Sequence, residues 1–349
     1  MEEYRKALTD WYYHSKRELP WRESRDPYNI WVSEVILQQT RVKQGMDYYF
    51  NFLRQFPDVK TLAMAPEEEV LKVWQGLGYY SRARNMHHAA KTIQTEHNGK
   101  FPINYLSIRN LKGIGDYTAA AIASIAFDLP YAVVDGNVFR VLSRLFGIST
   151  PVNSVKGKNE FYKLAQMMLD IRHPGVFNQA LMEFGAIQCL PAQPLCSGCP
   201  LSEKCYAYTN QSIGSFPVKA KQPKQRDRYF NYLYLHHDNH ILLEKRGDKD
   251  IWRNMYQFPL IETAVYSSPE EVLSSDAWKD ILRNLKYTID SIYPEKLHIL
   301  THQRLHIRFF SVRLDENKMP DLLMPIVRDE VVRYPVPKPI EIFLLEMGH

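Results

Sequence analysis

The sequence predicts a two-domain protein, in which an all-α domain at residues 1–210 is followed by an α+β domain at residues 229–349. Apolar residues recur at helical spacing through the first part, and no stretch before residue 210 alternates with the period of a strand. After a basic segment at 211–228 that contains two prolines, the pattern changes to short runs rich in aromatic and β-branched residues. A length of 349 residues also suits about two domains.

The composition is that of an ordinary globular protein, with 45% hydrophobic and 24% charged residues. A formal net charge of +5 permits binding to nucleic acid without demonstrating it. The first residues lack the apolar core of a secretory signal, and no apolar run reaches the ~20 residues of a membrane span. We therefore expect a cytoplasmic protein with no membrane contact.

Helical patterns follow one another through the first domain, at residues 1–25, 28–51, 67–74, 81–97, 138–146, 161–172 and 176–188. Asp26-Pro27 is a helix-start signal for the second of them. On that helix, Glu34 shares a face with Trp31 and Gln38. A carboxylate rarely stays buried without a partner or a function, so Glu34 is either an ion-paired structural residue or a catalytic one.

Two glycine turns interrupt these helices. Gly113 and Gly115 precede an Ala/Ile-rich helix, whose unpaired N-terminal N–H groups could bind a phosphate. Asp135 ends an apolar run and is placed to begin the next helix, either as a simple cap or as a functional group. The turn at 76–80 presents Tyr79, which either packs or inserts into a base stack.

All four cysteines of the chain lie within one seventeen-residue segment, 189–205. In a reducing compartment such clustered thiols are better interpreted as metal ligands than as disulfides. The spacing C-x6-C-x2-C-x5-C has one C-x2-C pair, whereas a zinc ribbon normally has two. Unequal loops suit a [4Fe–4S] cluster, and zinc remains the alternative. The candidate ligands are Cys189, Cys196, Cys199 and Cys205.

Together, the Gly-Ile-Gly turn, the Val-Val-Asp-Gly-Asn segment at 133–137 and the cysteine loop resemble the helix-hairpin-helix DNA glycosylases that carry an iron–sulfur loop. Within them, WVSEVILQQTRV at 31–42 and GLGYYSRARN at 76–85 resemble the adenine DNA glycosylase family. The resemblance covers residues 10–210 and implies a helix-hairpin-helix glycosylase domain with a [4Fe–4S] cluster at 189–205. The domain at 229–349 resembles, more weakly, a Nudix-like lesion-recognition domain.

The resemblance implies hydrolysis of the N-glycosidic bond of adenine opposite 8-oxoguanine or guanine in double-stranded DNA. It implies a monomeric, bacterial-type enzyme associated with the nucleoid. The two carboxylates would divide the work of a glycosidase: Glu34 as a general acid kept protonated by burial, and Asp135 as an ionised group that stabilises the sugar cation. We expect the helix start beside Asp135 to favour its charged form.

The remaining site residues follow from matching positions in the family. The resemblance assigns support of the catalytic carboxylates to Tyr117 and Asn137, the adenine pocket to Arg17, Trp21 and Gln179, and DNA contacts to Gln39, Tyr79, Gly113 and Gly115. In the second domain it assigns lesion recognition to Thr301 and His302, in a Leu-Thr-His segment where the family has Phe-Ser-His. That domain lacks the Arg-Glu-x-x-Glu-Glu helix of Nudix pyrophosphatases.

Three other functions remain alternatives. An endonuclease III-like enzyme would excise damaged pyrimidines and cleave the strand with a lysine two residues past the second hairpin glycine, where this chain has Tyr117. A thymine-mismatch glycosylase is less favoured because those enzymes lack a long C-terminal domain. A non-catalytic iron–sulfur DNA-binding protein would have no use for both Glu34 and Asp135.

Overall fold

The computed structural model describes residues 1–221, 224–283, 285–315 and 323–348. The chain separates into two compact units. The helical unit contains Met1–Met64 and Asn85–Gln222, and the sheet unit contains Ala65–Arg84 and Pro223–His349. Residues 222 and 223 of the expected basic linker lie outside the described residues.

The described part of the first 221 residues contains helices and turns but no strand, which confirms an all-α N-terminal fold. The helices are α1 (Glu2–Ser15), α2 (Pro27–Ile36), α3 (Val42–Gln55), α4 (Val59–Met64), α5 (Glu67–Val73), α6 (Ser81–Glu96), α7 (Tyr105–Asn110), α8 (Asp116–Phe127), α9 (Gly136–Phe146), α10 (Val155–Met168), α11 (Pro174–Glu183) and α12 (Tyr206–Thr209). Of these, α5 and the start of α6 belong to the sheet unit. Among the described residues, no helix is both long and apolar enough to cross a membrane.

The helix predicted at 28–51 is in fact two helices, α2 and α3. Asp26 caps α2 by accepting a hydrogen bond from the Tyr28 N–H at 2.8 Å, as the Asp-Pro signal predicts. The helix then stops at Ile36, and Gln39 takes a left-handed backbone conformation with φ of 57°. Four consecutive polar residues, 38–41, lie at this break, and the predicted helix ran across them.

A close approach between α8 and α11 brings together two helices that bear predicted site residues. A Cβ added to Gly175, near the start of α11, would lie 2.6 Å from the carbonyl oxygen of Ser124 on α8. The amide of Asn178, one turn further along α11, donates to the Ser124 hydroxyl at 2.9 Å. Only glycine therefore permits this spacing.

The sheet unit is built on one mixed sheet of eight strands. The strands are β1 (Arg226–His237), β2 (His240–Lys245), β3 (Tyr256–Gln257), β4 (Leu260–Thr263), β5 (Tyr287–Ile292), β6 (Lys296–Ile299), β7 (Gln303–Leu314) and β8 (Met324–Val327). The order β3-β2-β1-β7-β5 places β1 and β7 side by side and parallel, while β4 pairs with β1, β6 with β7 and β8 with β2.

Helices cover both faces of this sheet. Alternate residues of β1 enter different cores: Tyr232 and Tyr234 pack with helix α15 (Lys338–Glu346), and Leu233 and Leu235 pack with helices α13 (Pro269–Ser274) and α14 (Asp276–Ile281). This arrangement confirms the expected combination of sheet and helix. The sequence pattern at 269–285 predicts one helix, whereas the structure has two, α13 and α14. At β5, β8 and α15 no element is predicted from the sequence.

Residues 65–84 form part of the sheet unit through polar contacts. The Glu68 carboxylate accepts hydrogen bonds from Lys245 Nζ at 2.5 Å and from Tyr256 Oη at 2.8 Å. Arg84 donates to the carbonyl oxygen of Arg253 at 3.0 Å. The turn that bears Tyr79 is thereby held against the strands of the C-terminal part of the chain.

We expect Gly175→Ala to destabilise the helical unit by about 1–3 kcal/mol, because the added methyl forces α8 and α11 apart. Circular dichroism during thermal unfolding would report a lower midpoint. Gly214→Ala is the matched control, since a Cβ there meets nothing within 4 Å. Equal midpoints for the two variants would contradict the close approach.

Candidate active site

One cleft in the helical unit gathers eight of the residues that the sequence singled out. Its walls come from the segment before α2, from α2 itself, from the starts of α8 and α9, and from α11. The eight residues are Arg17, Trp21, Glu34, Gln39, Tyr117, Asp135, Asn137 and Gln179. The arrangement places both predicted catalytic carboxylates in one concave site.

Glu34 lies in the second half of α2 and is 9% exposed. Tyr117 donates a hydrogen bond to Glu34 Oε2 at 2.5 Å. Burial raises the pKa of Glu34 to about 7; the Tyr117 hydrogen bond and the Arg22 charge oppose this rise, and Asp135 adds to it. Glu34 can therefore carry a proton near neutral pH, as expected of a general acid.

Asp135 is the N-cap of α9. Its Oδ1 accepts a hydrogen bond from the Val138 N–H at 2.8 Å, and its Oδ2 accepts one from Asn137 Nδ2 at 2.8 Å. These bonds favour the charged form, as expected, but burial outweighs them and raises the pKa of Asp135. The helix start thus acts in the expected direction, and the net rise comes from desolvation of the capped side chain.

The two carboxyls differ in their partners. Asp135 accepts two N–H groups, which favour a carboxylate, whereas Glu34 is bonded to a single tyrosine hydroxyl. Like charges in one site also resist ionising together. We therefore expect Asp135 to lose its proton first and Glu34 to keep the remaining one.

A chain of hydrogen bonds runs from Asp135 to the cysteine segment. Arg140 Nη2 donates to Asn137 Oδ1 at 2.9 Å, and Arg140 Nε donates to the carbonyl oxygen of Cys189 at 2.7 Å. One turn further along α9, Arg144 donates to the carbonyl oxygen of Leu190 at 2.7 Å. The sequence reasoning did not identify either arginine as a site residue.

The four cysteines line one cavity, together with apolar side chains such as Leu145 and Leu201. All four are free thiols, and Arg144 Nη1 lies 3.4 Å from Cys189 Sγ. The pKa of Cys199 is raised to about 11, mainly by burial and to a smaller extent by the three other cysteines, while a backbone hydrogen bond from Leu201 opposes the rise. Among the described residues, no group of three or more Cys, His, Asp or Glu side chains has the arrangement of a metal site.

The donor set nevertheless fits an iron–sulfur cluster. Such a cluster takes four thiolates at its corners, and four thiols share this cavity. An arginine beside Cys189 Sγ can offset part of the negative charge of the thiolates.

The predicted adenine pocket contains two polar side chains held by partners that sequence reasoning missed. Tyr12 donates to Gln179 Oε1 at 2.7 Å. Arg17 Nη2 donates to Glu183 Oε2 at 2.6 Å. Glu183 is a buried acid one turn after Gln179, beside the apolar residues Leu181 and Met182, and an acid among apolar residues, the pattern that singled out Glu34, could have identified it.

The segment predicted to bind a phosphate, which contains Gly113 and Gly115, forms a tight glycine turn. Gly113 has φ of +81°, and a Cβ there would lie 2.5 Å from the Cβ of Asn85. Gly115 is the N-cap of α8, and no side chain caps that helix end. The first N–H groups of α8 are therefore available to an anion.

Both residues predicted to insert into the duplex have backbones in the left-handed region, with φ of 57° at Gln39 and 48° at Tyr79. This conformation is uncommon for residues with a long side chain and stores strain. Tyr79 is 47% exposed. Strained, solvent-accessible side chains of this kind are typical of functional sites.

Tyr79 and the predicted lesion loop meet within the sheet unit. The hydroxyl groups of Tyr79 and Thr301 are hydrogen-bonded at 2.7 Å. Gln225 Nε2 donates to the carbonyl oxygen of Leu300 at 2.8 Å, and the Arg226 N–H donates to that of His302 at 3.0 Å. Thr301 and His302 are themselves exposed.

The chain is similar to known DNA repair proteins. Residues 32–166 match the HhH-GPD superfamily of base excision DNA repair proteins, and residues 231–346 match the NUDIX domain. The adenine DNA glycosylase of Buchnera aphidicola subsp. Baizongia pistaciae is 37% identical over 306 residues, covering 86% of this chain and 83% of the relative. This chain belongs to the adenine DNA glycosylase family. The Mus musculus adenine DNA glycosylase is 33% identical over 369 residues, covering 90% of this chain and 71% of the relative.

Solved structures place the helical part of this adenine DNA glycosylase family member in the same fold. A thermostable thymine-DNA glycosylase matches with a TM-score of 0.56 at 30% identity, covering 60% of this chain and 96% of that one. A non-covalent endonuclease III–DNA complex matches with a TM-score of 0.52 at 22% identity, covering 60% and 97%. The predicted helix-hairpin-helix glycosylase fold, followed by a Nudix-like domain, is confirmed.

The Glu34 pKa predicts a specific pH dependence. A general acid at Glu34 would act only in its protonated form, so the rate of base release should fall as the pH rises through about 7. Tyr117→Phe removes a hydrogen bond that lowers this pKa, so the midpoint should move to higher pH, by up to about one unit. Single-turnover rates measured across the pH range would test both statements.

The control is Tyr105→Phe, which removes a hydroxyl bonded to exposed Asp116 and should leave the midpoint in place. A Tyr117→Phe midpoint at or below that of the wild type would contradict the assignment.

Proposed function

We propose that the protein hydrolyses the N-glycosidic bond of adenine paired with 8-oxoguanine or guanine in double-stranded DNA. The observation that carries the proposal is the pair of Glu34 and Asp135 in one cleft, with the Glu34 pKa raised to about 7. The names of the relatives in this family support adenine as the base.

In the proposed mechanism, Glu34 donates its proton to the departing adenine, which converts a poor leaving group into a neutral base. Asp135, ionised and held by Val138 and Asn137, stabilises the positive charge that develops on the sugar. The Glu34 carboxylate that results then takes a proton from the attacking water. Both groups thus act in each half of the reaction, as in other glycosidases.

The adenine must leave the base stack to enter the cleft. Unstacking costs a few kcal/mol, which the proposal assigns to residues that replace the lost contacts. Tyr79 and Gln39 insert into the duplex, while Gly113 and Gly115 bind a phosphate without reading sequence. Arg17, Trp21 and Gln179 contact the extruded adenine.

The proposed enzyme stops at the abasic site. Strand cleavage by the endonuclease III route needs an amine that attacks the sugar and forms a Schiff base. At the corresponding position Tyr117 has a hydroxyl that donates to Glu34, and it supplies no amine. Tyr117 thus acts on the general acid rather than on the sugar.

The four cysteines are proposed to hold a [4Fe–4S] cluster. When bound, the cluster supplies no glycosidase chemistry and fixes the fold of the 189–205 segment. Arg140 and Arg144 bind backbone carbonyls of residues in and next to the adjoining π-turn, Phe184–Gln188. The proposed role of the [4Fe–4S] cluster is therefore to order a loop that contacts DNA.

Thr301 and His302 are proposed to recognise the oxidised guanine opposite the adenine. The Thr301 hydroxyl offers both a donor and an acceptor, and Gln225 holds the backbone of its loop. The same domain is not proposed to hydrolyse nucleotides. Glu262, where the pyrophosphatase helix would follow, is engaged by Arg228 at 2.7 Å.

The proposal predicts alkali-dependent cleavage of a duplex that contains adenine opposite 8-oxoguanine. Incubation should produce abasic sites, so the labelled strand should break only after alkali. Glu34→Gln should abolish base release but retain binding to the duplex, because the amide fills the same space without a transferable proton. Strand breaks without alkali would support the lyase alternative, and an intact strand in both lanes would support the non-catalytic one.

The proposed cluster predicts that the anaerobically purified protein contains about four iron and four sulfide per chain, as befits the formula of the cluster. Cys199→Ser should lower both contents and weaken duplex binding more than it lowers the thermal midpoint. Ser197→Ala, within the same loop, is the control. Zinc in place of iron, or full duplex affinity without a cluster, would overturn this assignment.

A further inference from the structure

Glu183 is a buried carboxylate in the wall of the cleft that the proposed mechanism leaves without a role. It is the last residue of α11 and is 1% exposed. Burial alone would raise its pKa, yet hydrogen bonds from Arg17 and Arg22 hold that pKa down at about 2. It is therefore an anion at every pH at which the protein would work.

Four N–H groups from two arginines converge on this carboxylate. The Arg17 backbone N–H and Nε donate to Oε1 at 3.0 and 2.8 Å, and Arg17 Nη2 donates to Oε2 at 2.6 Å. Arg22 Nη2 donates to the same Oε2 at 2.7 Å. Arg22 Nη1 completes the cluster by donating to the carbonyl oxygen of Arg17 at 2.8 Å. Such paired, charge-assisted bonds fix both guanidinium groups in position.

In this group of ion pairs, Nη1 is the one guanidinium nitrogen of Arg17 that has no hydrogen-bond partner among the described residues. The Arg17 side chain is 37% exposed and lines the cleft. The Arg17 guanidinium is planar and is held through Nε and Nη2, so its third nitrogen, Nη1, points in a fixed direction. Ring nitrogens of a purine are acceptors, so this nitrogen suits a base bound in the cleft.

The ion pairs of Glu183 with Arg17 and Arg22 also affect the charge around Glu34. Three groups act on this carboxyl: Tyr117 of α8, Asp135 before α9, and Arg22 of the turn Pro20–Arg22. Helix α3, which also packs against α2, contributes Arg41 to the cleft. Positive charge near Glu34 favours its ionised form, which cannot donate a proton. Two arginines with no acid beside them would therefore work against a general acid.

We propose that Glu183 is a positioning residue, which holds Arg17 and Arg22 at the wall of the cleft and offsets the positive charge that Arg22 exerts on Glu34. This inference rests on the proposed role of Glu34 as general acid. Glu183 acts only through other groups, and an ion pair that merely joined α11 to the 16–25 segment would not influence the titration of Glu34.

The test compares the pH–rate profiles of Glu183→Gln, Arg22→Gln and the double variant with that of the wild type. Glu183→Gln keeps the shape of the side chain but leaves both arginines uncompensated, so the midpoint of the pH–rate profile should fall by about one pH unit. Arg22→Gln removes a cation, so the midpoint should rise. The double variant restores the net charge of the cluster and should return the midpoint toward that of the wild type.

A purely structural ion pair gives a different result. Each variant would then lower the maximal rate or the thermal midpoint, while the midpoint of the pH profile would stay in place in all three. That outcome overturns the proposal. If Glu183→Gln fails to fold, the direction of the Arg22→Gln shift decides alone.

A second readout separates this inference from the proposed activity. The Glu34 carboxyl can be titrated by carbon-13 NMR in protein labelled at glutamate, with its signal assigned by its loss in Glu34→Gln. The midpoint should move down in Glu183→Gln and up in Arg22→Gln even if no adenine is released. Inactivity on the adenine duplex together with these shifts would refute the proposed function alone, and absent shifts would refute the charge role.

Discussion

Burial of one carboxyl group is the constraint on which this active site depends. Glu34 lies on a helix whose other residues are almost all apolar, and desolvation raises its pKa into the range where it can hold a proton. Such a group is stable in this position only with a hydrogen-bond partner, which Tyr117 provides. The packing of α8 against α2 is thus a requirement of the proposed chemistry as well as of the fold.

The type of each domain was predictable from local pattern, and eight of the residues that line the cleft were predictable from local pattern or from resemblance to a known family. Glu34 was recognisable as an acid on an apolar helix face, and Asp135 as a residue at a helix start. What local pattern cannot reveal is long-range pairing. Glu183 and Arg17 are separated by 166 residues, and nothing near either one indicates the other.

Two other differences between prediction and structure concern a backbone conformation and burial. The break between α2 and α3 falls at a left-handed residue, Gln39, within four consecutive polar residues, and helical periodicity does not report backbone conformation. The raised pKa of Asp135 comes from desolvation by distant parts of the chain, which outweighs the cap that the sequence does show. Caps and periodicity are local properties, whereas burial is a property of the complete fold.

The left-handed conformations of Gln39 and Tyr79 also have a consequence for protein engineering. For a residue with a Cβ this conformation costs roughly 1–2 kcal/mol, so glycine at either position would relieve strain in the free protein. The same replacement would remove the side chain proposed to enter the duplex. A selection for thermostability alone would therefore favour glycine at these two positions, and would drive the protein away from DNA repair.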